Sequence, residues 1–143
     1  MILNRVSAAL ARSGRIADTA IREALAARGL KPGHAHVLSL LAERGRLSQR
    51  ALLEELGVDP SVLVTLLNVL EDRGLVTRRR DPRDRRRHIV EISADGVALV
   101  AEVDEAVLAV EKELFADLDQ EEVRTLRALL DRIAAADARA CTE

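Results

Sequence analysis

The chain has 143 residues, a formal charge of −2, 48 % hydrophobic residues, one aromatic (Phe115) and one cysteine (Cys141). That length allows a single domain with a real core, and a charge so near neutral excludes nucleic-acid binding by the whole surface, leaving only a local patch. A lone thiol cannot close an internal disulfide, which fits a reducing, cytoplasmic setting, and no apolar run approaches the roughly 20 residues of a membrane helix.

An Ala/Leu/Glu/Arg-rich chain with almost no aromatics reads as mainly helical. Arg5, Arg12 and Arg15 interrupt the first apolar residues, so no signal-peptide pattern is expected. Leu3, Val6, Leu10, Ala17, Ile21 and Leu25 recur at helical spacing and predict a long helix over 3–28, closed by Gly29. Pro32 opens a second helix over 32–44, with Val37, Leu38, Leu40 and Leu41 as its apolar stripe and Gly45 as its end. Arg46-Leu47 is long enough only for a strand fragment.

Ser48 is placed to cap a short helix over 49–56, and Gly57-Val58 to turn the chain. Asp59 caps the next helix, and Pro60 takes its first position. A short helix, a glycine turn and a second helix form the geometry of a DNA reader. In that second helix Leu63, Leu66, Leu67 and Leu70 fall on one face, while Ser61, Thr65, Asn68 and Asp72 fall on the other. Gly74 ends it. Leu75–Arg79 and His88–Ile92 then predict a two-stranded hairpin with a long tip.

The hairpin concentrates charge. Seven arginines and two aspartates lie between Arg78 and His88, a local surplus of about five positive charges on an otherwise acidic chain. Ser93 caps a long final segment with a wide apolar stripe (Val100, Val103, Val107, Val110, Leu114 and Leu118 among it). Asp119-Gln120-Glu121 breaks the segment and starts a last helix, in which Val123, Leu126, Leu129, Leu130 and Ile133 continue the pattern to about Ala138. Ala140–Glu143 is expected to fray. Terminal helices this apolar suggest interdigitation with a second copy.

Leu30-Lys31-Pro32, Ser48–Leu56, Asp59-Pro60-Ser61, Leu70-Glu71-Asp72-Arg73-Gly74-Leu75-Val76 and Asp81-Pro82-Arg83-Asp84-Arg85-Arg86 together resemble the MarR family (multiple antibiotic resistance regulator), over essentially the whole chain. The resemblance implies a mainly α fold with a small β-hairpin wing, a winged helix–turn–helix with a helical dimerisation region. It implies one MarR-like domain over 1–143, with 31–93 as the DNA-binding part and 1–29 and 94–138 as the dimerisation part. It further implies a homodimer on a near-palindromic operator, with helix 60–73 in the major groove and the wing at the minor groove. Such proteins are commonly repressors, released by a small-molecule effector, by oxidation or by a metal. Two departures stand out. The recognition helix has Val62 and Thr65 on its outer face and no Lys or Arg before Arg73, and Lys31 stands where a capping Thr is usual.

The candidate DNA contacts follow. Arginine's planar fork suits phosphates and the negative potential of a narrow minor groove. By family position Arg86 is the candidate for minor-groove insertion, with Asp84 expected to orient it through a salt bridge. Arg85 and Arg87 are expected to alternate along a strand toward phosphates, with Arg83 beside them. Ser61 and Thr65 suit bases or phosphates, Asn68 a phosphate or an adenine edge, and Val62 a thymine methyl. With so few cations in the helix, Ser48, Arg50 and the wing must provide phosphate contacts. His34 and His36 are candidate ligand-binding residues, set against the plainer reading of ordinary histidines. Their i, i+2 spacing does not share a helix face, so joint metal binding is not expected. Cys141 lies far from the N-terminal position used by peroxide-sensing relatives. No nucleophile–base pair, paired carboxylate or phosphate loop points to an enzyme, and no cofactor or metal is expected. The rival reading is a winged-helix interaction module for an acidic protein partner.

Overall fold

The computed structural model describes residues 1–140; Cys141 lies outside them, as does most of the segment expected to fray. A short 3-10 turn, Ile2–Asn4, precedes α1 (Val6–Ala26). There follow α2 (Pro32–Arg44), β1 (Arg46–Ser48), α3 (Gln49–Leu56), α4 (Pro60–Asp72), β2 (Val76–Arg80), β3 (His88–Ile92), α5 (Ala94–Leu114) and α6 (Gln120–Ala140). The chain divides into two units, one from Met1 to Val107 and one from Leu108 onward. Among the described residues no helix is long and apolar enough to cross a membrane.

In the first unit the core is built from leucine and valine alone: Leu25 and Leu30 near the end of α1, Val37, Leu38 and Leu41 on α2, Leu52 on α3, Leu63, Leu67 and Leu70 on α4, and Leu75, Val76 and Val90 in the sheet region. Each leucine fully withdrawn from water stabilises by about 1.5–3 kcal/mol before entropy is counted. Two helix ends are tied into this core by the same device. The Leu30 N–H donates to the Leu25 carbonyl at 3.0 Å, and the Leu75 N–H to the Leu70 carbonyl at 2.9 Å. In each case a glycine in the left-handed region, Gly29 or Gly74, precedes the donor, and both leucines of the pair are buried.

The sheet joins the expected hairpin to the expected strand fragment. It has three antiparallel strands in the order β1-β3-β2, because the fragment Arg46–Ser48 pairs with Glu91–Ile89 of the hairpin. The wing is therefore stitched along its second edge to the stretch that leads into α3. The hairpin register runs from Val76 opposite Ile92 to Arg80 opposite His88.

Most of α1 stays uncovered in the single chain. Leu25 is its only buried residue, while Leu10 and Ile16 are exposed. In the second unit, the expected break at Asp119 is a reciprocal cap. Asp119 Oδ1 accepts the Glu122 N–H at 2.8 Å, and Glu122 Oε1 accepts the Asp119 N–H at 3.0 Å. Along α6, Leu129, Leu130 and Ile133 are exposed, and Leu118, Leu126 and Leu129 line an open groove.

Candidate nucleic-acid interface

The helix–turn–helix is fixed by its caps. Ser48 Oγ accepts the Ala51 N–H at 3.0 Å at the start of α3. Asp59 Oδ1 accepts both the Ser61 N–H at 3.0 Å and the Ser61 hydroxyl at 2.8 Å. These two hydrogen bonds, the backbone one first, hold the Asp59 carboxyl below its ordinary value. The Thr65 hydroxyl donates to the Ser61 carbonyl at 3.0 Å. Ser61 and Thr65 therefore both spend their hydroxyl protons within the helix turn and offer outward oxygens chiefly as acceptors. Val62 and Val64, by contrast, are 45 % and 39 % exposed, so neither is a core residue.

The wing tip is folded by its two aspartates. Asp81 Oδ1 accepts the Arg83 N–H at 2.9 Å, and Asp84 Oδ1 accepts the Arg86 N–H at 3.0 Å. The Asp81 N–H donates to the Arg87 carbonyl at 2.8 Å, and the Arg87 N–H to the Asp84 carbonyl at 2.9 Å. Asp84 thus orients Arg86 through its backbone; among the described residues the expected salt bridge between the two does not form. The strand alternation expected of Arg85 and Arg87 is also absent, because both lie in the turn beyond the ends of β2 and β3. A short polar side chain closes such turns more readily by bonding a nearby N–H than by reaching a guanidinium. The guanidiniums of Arg83, Arg85, Arg86 and Arg87 are left exposed, with no ion-pair partner among the described residues.

Arg78 behaves differently. It is partly buried and reaches across to α4, where Nε and Nη2 contact the Glu71 carboxylate at 3.2 and 3.3 Å and Nη2 donates to Asn68 Oδ1 at 2.7 Å. The hydrogen bond from Arg78 lowers the Glu71 carboxyl below its ordinary value.

Residues far apart in sequence meet at one cleft of about 440 Å³. Ser48 at the end of β1, Gln49 and Arg50 of α3, Pro60 and Val64 of α4, and Asp84, Arg86, Arg87 and His88 of the wing line it. Gln49 and His88 were not singled out from the sequence; only the approach of the wing to α3 selects them. Arg50 is exposed and lies 3.5 Å from Glu54 one helical turn on. The two other histidines do not converge. His34 is buried, and its Nδ1 accepts the Lys31 N–H at 3.1 Å, while His36 is exposed. His34, from the first turn of α2, thereby satisfies the backbone N–H of the capping position itself. Burial, then the charges of Lys31 and Arg73, lowers its pKa below 6.5.

A capped helix–turn–helix followed by a hairpin with an arginine tip defines a winged helix–turn–helix protein. The family model for the MarR family matches residues 28–87. A MarR-family transcriptional regulator from Rhodococcus sp. RHA1 is 32 % identical, with 90 % of this chain and 91 % of that chain covered and a TM-score of 0.76. This chain belongs to the MarR family of transcriptional regulators. CouR from Rhodococcus jostii RHA1, solved bound to p-coumaroyl-CoA, is 31 % identical over 94 % of each chain, with a TM-score of 0.75. A protein of Thauera aromatica assigned to regulation of the hcr operon is 36 % identical over 105 residues, which is 73 % of this chain and 63 % of that relative's length.

Proposed function

We propose that this regulator binds a near-palindromic duplex operator as a homodimer, represses transcription there, and is released by a small-molecule effector. The observation that carries the reading is the cleft, where Ser48 and Arg50 stand beside Arg86 and Arg87 at the foot of α4. Uncompensated guanidiniums on the wing tip attract phosphates and a narrow minor groove, and the capped α4 supplies the major-groove element. Residues 31–93 would form the DNA-binding part, and 1–29 with 94–138 the dimerisation part. The exposed Leu10 and Ile16 of α1 and Leu129, Leu130 and Ile133 of α6 support a second copy covering them. Two-fold symmetry would set the recognition helices about 34 Å apart, one turn of duplex. An effector would act by favouring a spacing that no longer fits. The p-coumaroyl-CoA held by CouR makes aromatic acyl thioesters the first class to test.

The exposed Val62 and Val64 favour a second reading, in which α4 docks on an acidic protein partner. Selection of bound fragments from sheared genomic DNA separates the two. Enrichment of a two-fold-symmetric site supports the operator reading. Recovery of random fragments, or of none, overturns it.

A further inference from the structure

We infer that Arg78, although it belongs to the arginine cluster of the wing, is a positioning residue that holds the carboxamide of Asn68 with its NH2 group free to donate to an operator phosphate. The inference rests on the DNA-binding reading above and deepens it.

Three observations carry it. First, arginine has donors only, so the atom of Asn68 that meets Arg78 Nη2 at 2.7 Å must be the carbonyl oxygen. The amide is thereby fixed in one of its two orientations, and its nitrogen, at an exposed position, has no partner among the described residues. Second, the same guanidinium is paired with Glu71 through Nε and Nη2. Its charge is compensated on the spot, unlike those of the tip arginines, so it contributes little to the field that attracts phosphates. Third, Asn68 lies in the C-terminal half of α4, and the base-reading side chains of a helix–turn–helix come from the N-terminal part of the recognition helix. A neutral donor further along the helix suits the backbone of the duplex. One guanidinium thus joins strand β2 to α4 and sets the donor direction of a contact residue ten positions earlier in the chain.

The test compares wild type, Arg78→Lys, Asn68→Ala and the double variant, each on a selected genomic duplex and on a random-sequence duplex of equal length. Lysine keeps a charge for Glu71 but has no fork to span Glu71 and Asn68 together. Arg78→Lys is expected to weaken both duplexes by a similar factor, about five- to twentyfold, with the slope of log K against log salt unchanged. In the Asn68→Ala background the same substitution is expected to cost less than twofold, since its effect passes through Asn68. A full loss persisting in the double variant would show that Arg78 itself contacts phosphate and overturn the inference. Loss confined to the selected duplex would overturn the phosphate assignment. A readout without DNA completes the test. The chain has four side-chain amides, on Asn4, Gln49, Asn68 and Gln120, so the Asn68 NH2 pair is readily assigned by NMR. It should shift in Arg78→Lys; a pair that stays in place refutes the contact. Wild-type protein that binds neither duplex at about 50 mM salt would instead overturn the DNA-binding reading, whatever the amide does.

Discussion

The carbonyl oxygen of Leu75 lies so close to Gly96 that residue 96 has no room for a β-carbon. That carbonyl also accepts the Ser93 N–H at 2.9 Å, and the Ser93 hydroxyl donates to the Gly74 carbonyl at 2.6 Å while accepting the Gly96 N–H at 3.0 Å. The end of α4, the end of β3 and the start of α5 are thus locked together at one point. Gly96→Ala should push α5 off this point, because Ile92 closes the other side. Overpacking of this kind typically costs about 1–3 kcal/mol, and backbone is the least yielding neighbour. Urea denaturation should show the midpoint falling by a corresponding amount; an unchanged midpoint would mean that the helix start can move freely.

Arg86→Ala should weaken operator binding by at least about tenfold and lower the slope of log K against log salt by about 1. The side chain is exposed and has no ion-pair partner among the described residues, so thermal unfolding should not change. Gel-shift titration at several salt concentrations measures both quantities. Wild-type affinity with a wild-type slope would remove the wing tip from the interface.

His34 should make stability depend on pH. Its folded-state pKa lies below the ordinary 6.5, with burial as the main cause. Above that value both folded and unfolded forms are neutral, and stability is complete. As the pH falls below it, the unfolded chain takes up a proton that the folded chain refuses, so stability declines until the folded pKa is reached. His34→Gln keeps an acceptor for the Lys31 N–H and cannot titrate. Urea unfolding followed between about pH 7 and pH 5 should therefore show a flatter profile for the variant. The carboxyls held low, Asp59 and Glu71, lose their contribution only below their ordinary values of 3.8 and 4.5, outside this window. A wild-type profile already flat would contradict the burial argument.

Leu129→Glu should dissociate the proposed homodimer. Leu129 is 47 % exposed and lines a groove along α6 with Ile133, Ala135 and Ala136. A carboxylate there costs little in a free chain and a great deal in a covered one. Sedimentation equilibrium reads the mass directly. A variant that stays dimeric would place the interface elsewhere.

Much of the fold was legible because its signals are local. Ser48, Asp59 and Asp119 bond N–H groups two or three residues away, and Pro32 and Pro60 stand at the first positions of their helices. The leucine pairs around Gly29 and Gly74 span five residues. Such patterns can be read without knowing where the chain goes next. The candidate contacts were partly legible too: the arginine tip is a composition signal, and Ser48, Arg50, Arg86 and Arg87 do share one cleft.

Other assignments depended on partners that the sequence does not place. Arg46–Ser48 becomes a third strand because it meets Ile89–Glu91, over 40 positions on. Arg73 looks like one more exposed cation, yet it donates to the carbonyls of Gly29 and Arg28 at 3.0 and 3.1 Å. Arg78 and Arg86 are alike as letters in one basic run, but only Arg78 has a carboxylate in reach. Helix starts, turns and the sign of the wing were determined by the sequence itself, since backbone caps and net charge act over a few residues. Which arginines remain uncompensated was decided by the tertiary structure alone, because cancelling a charge requires an opposite one within a few ångströms, and only the folded chain sets that distance.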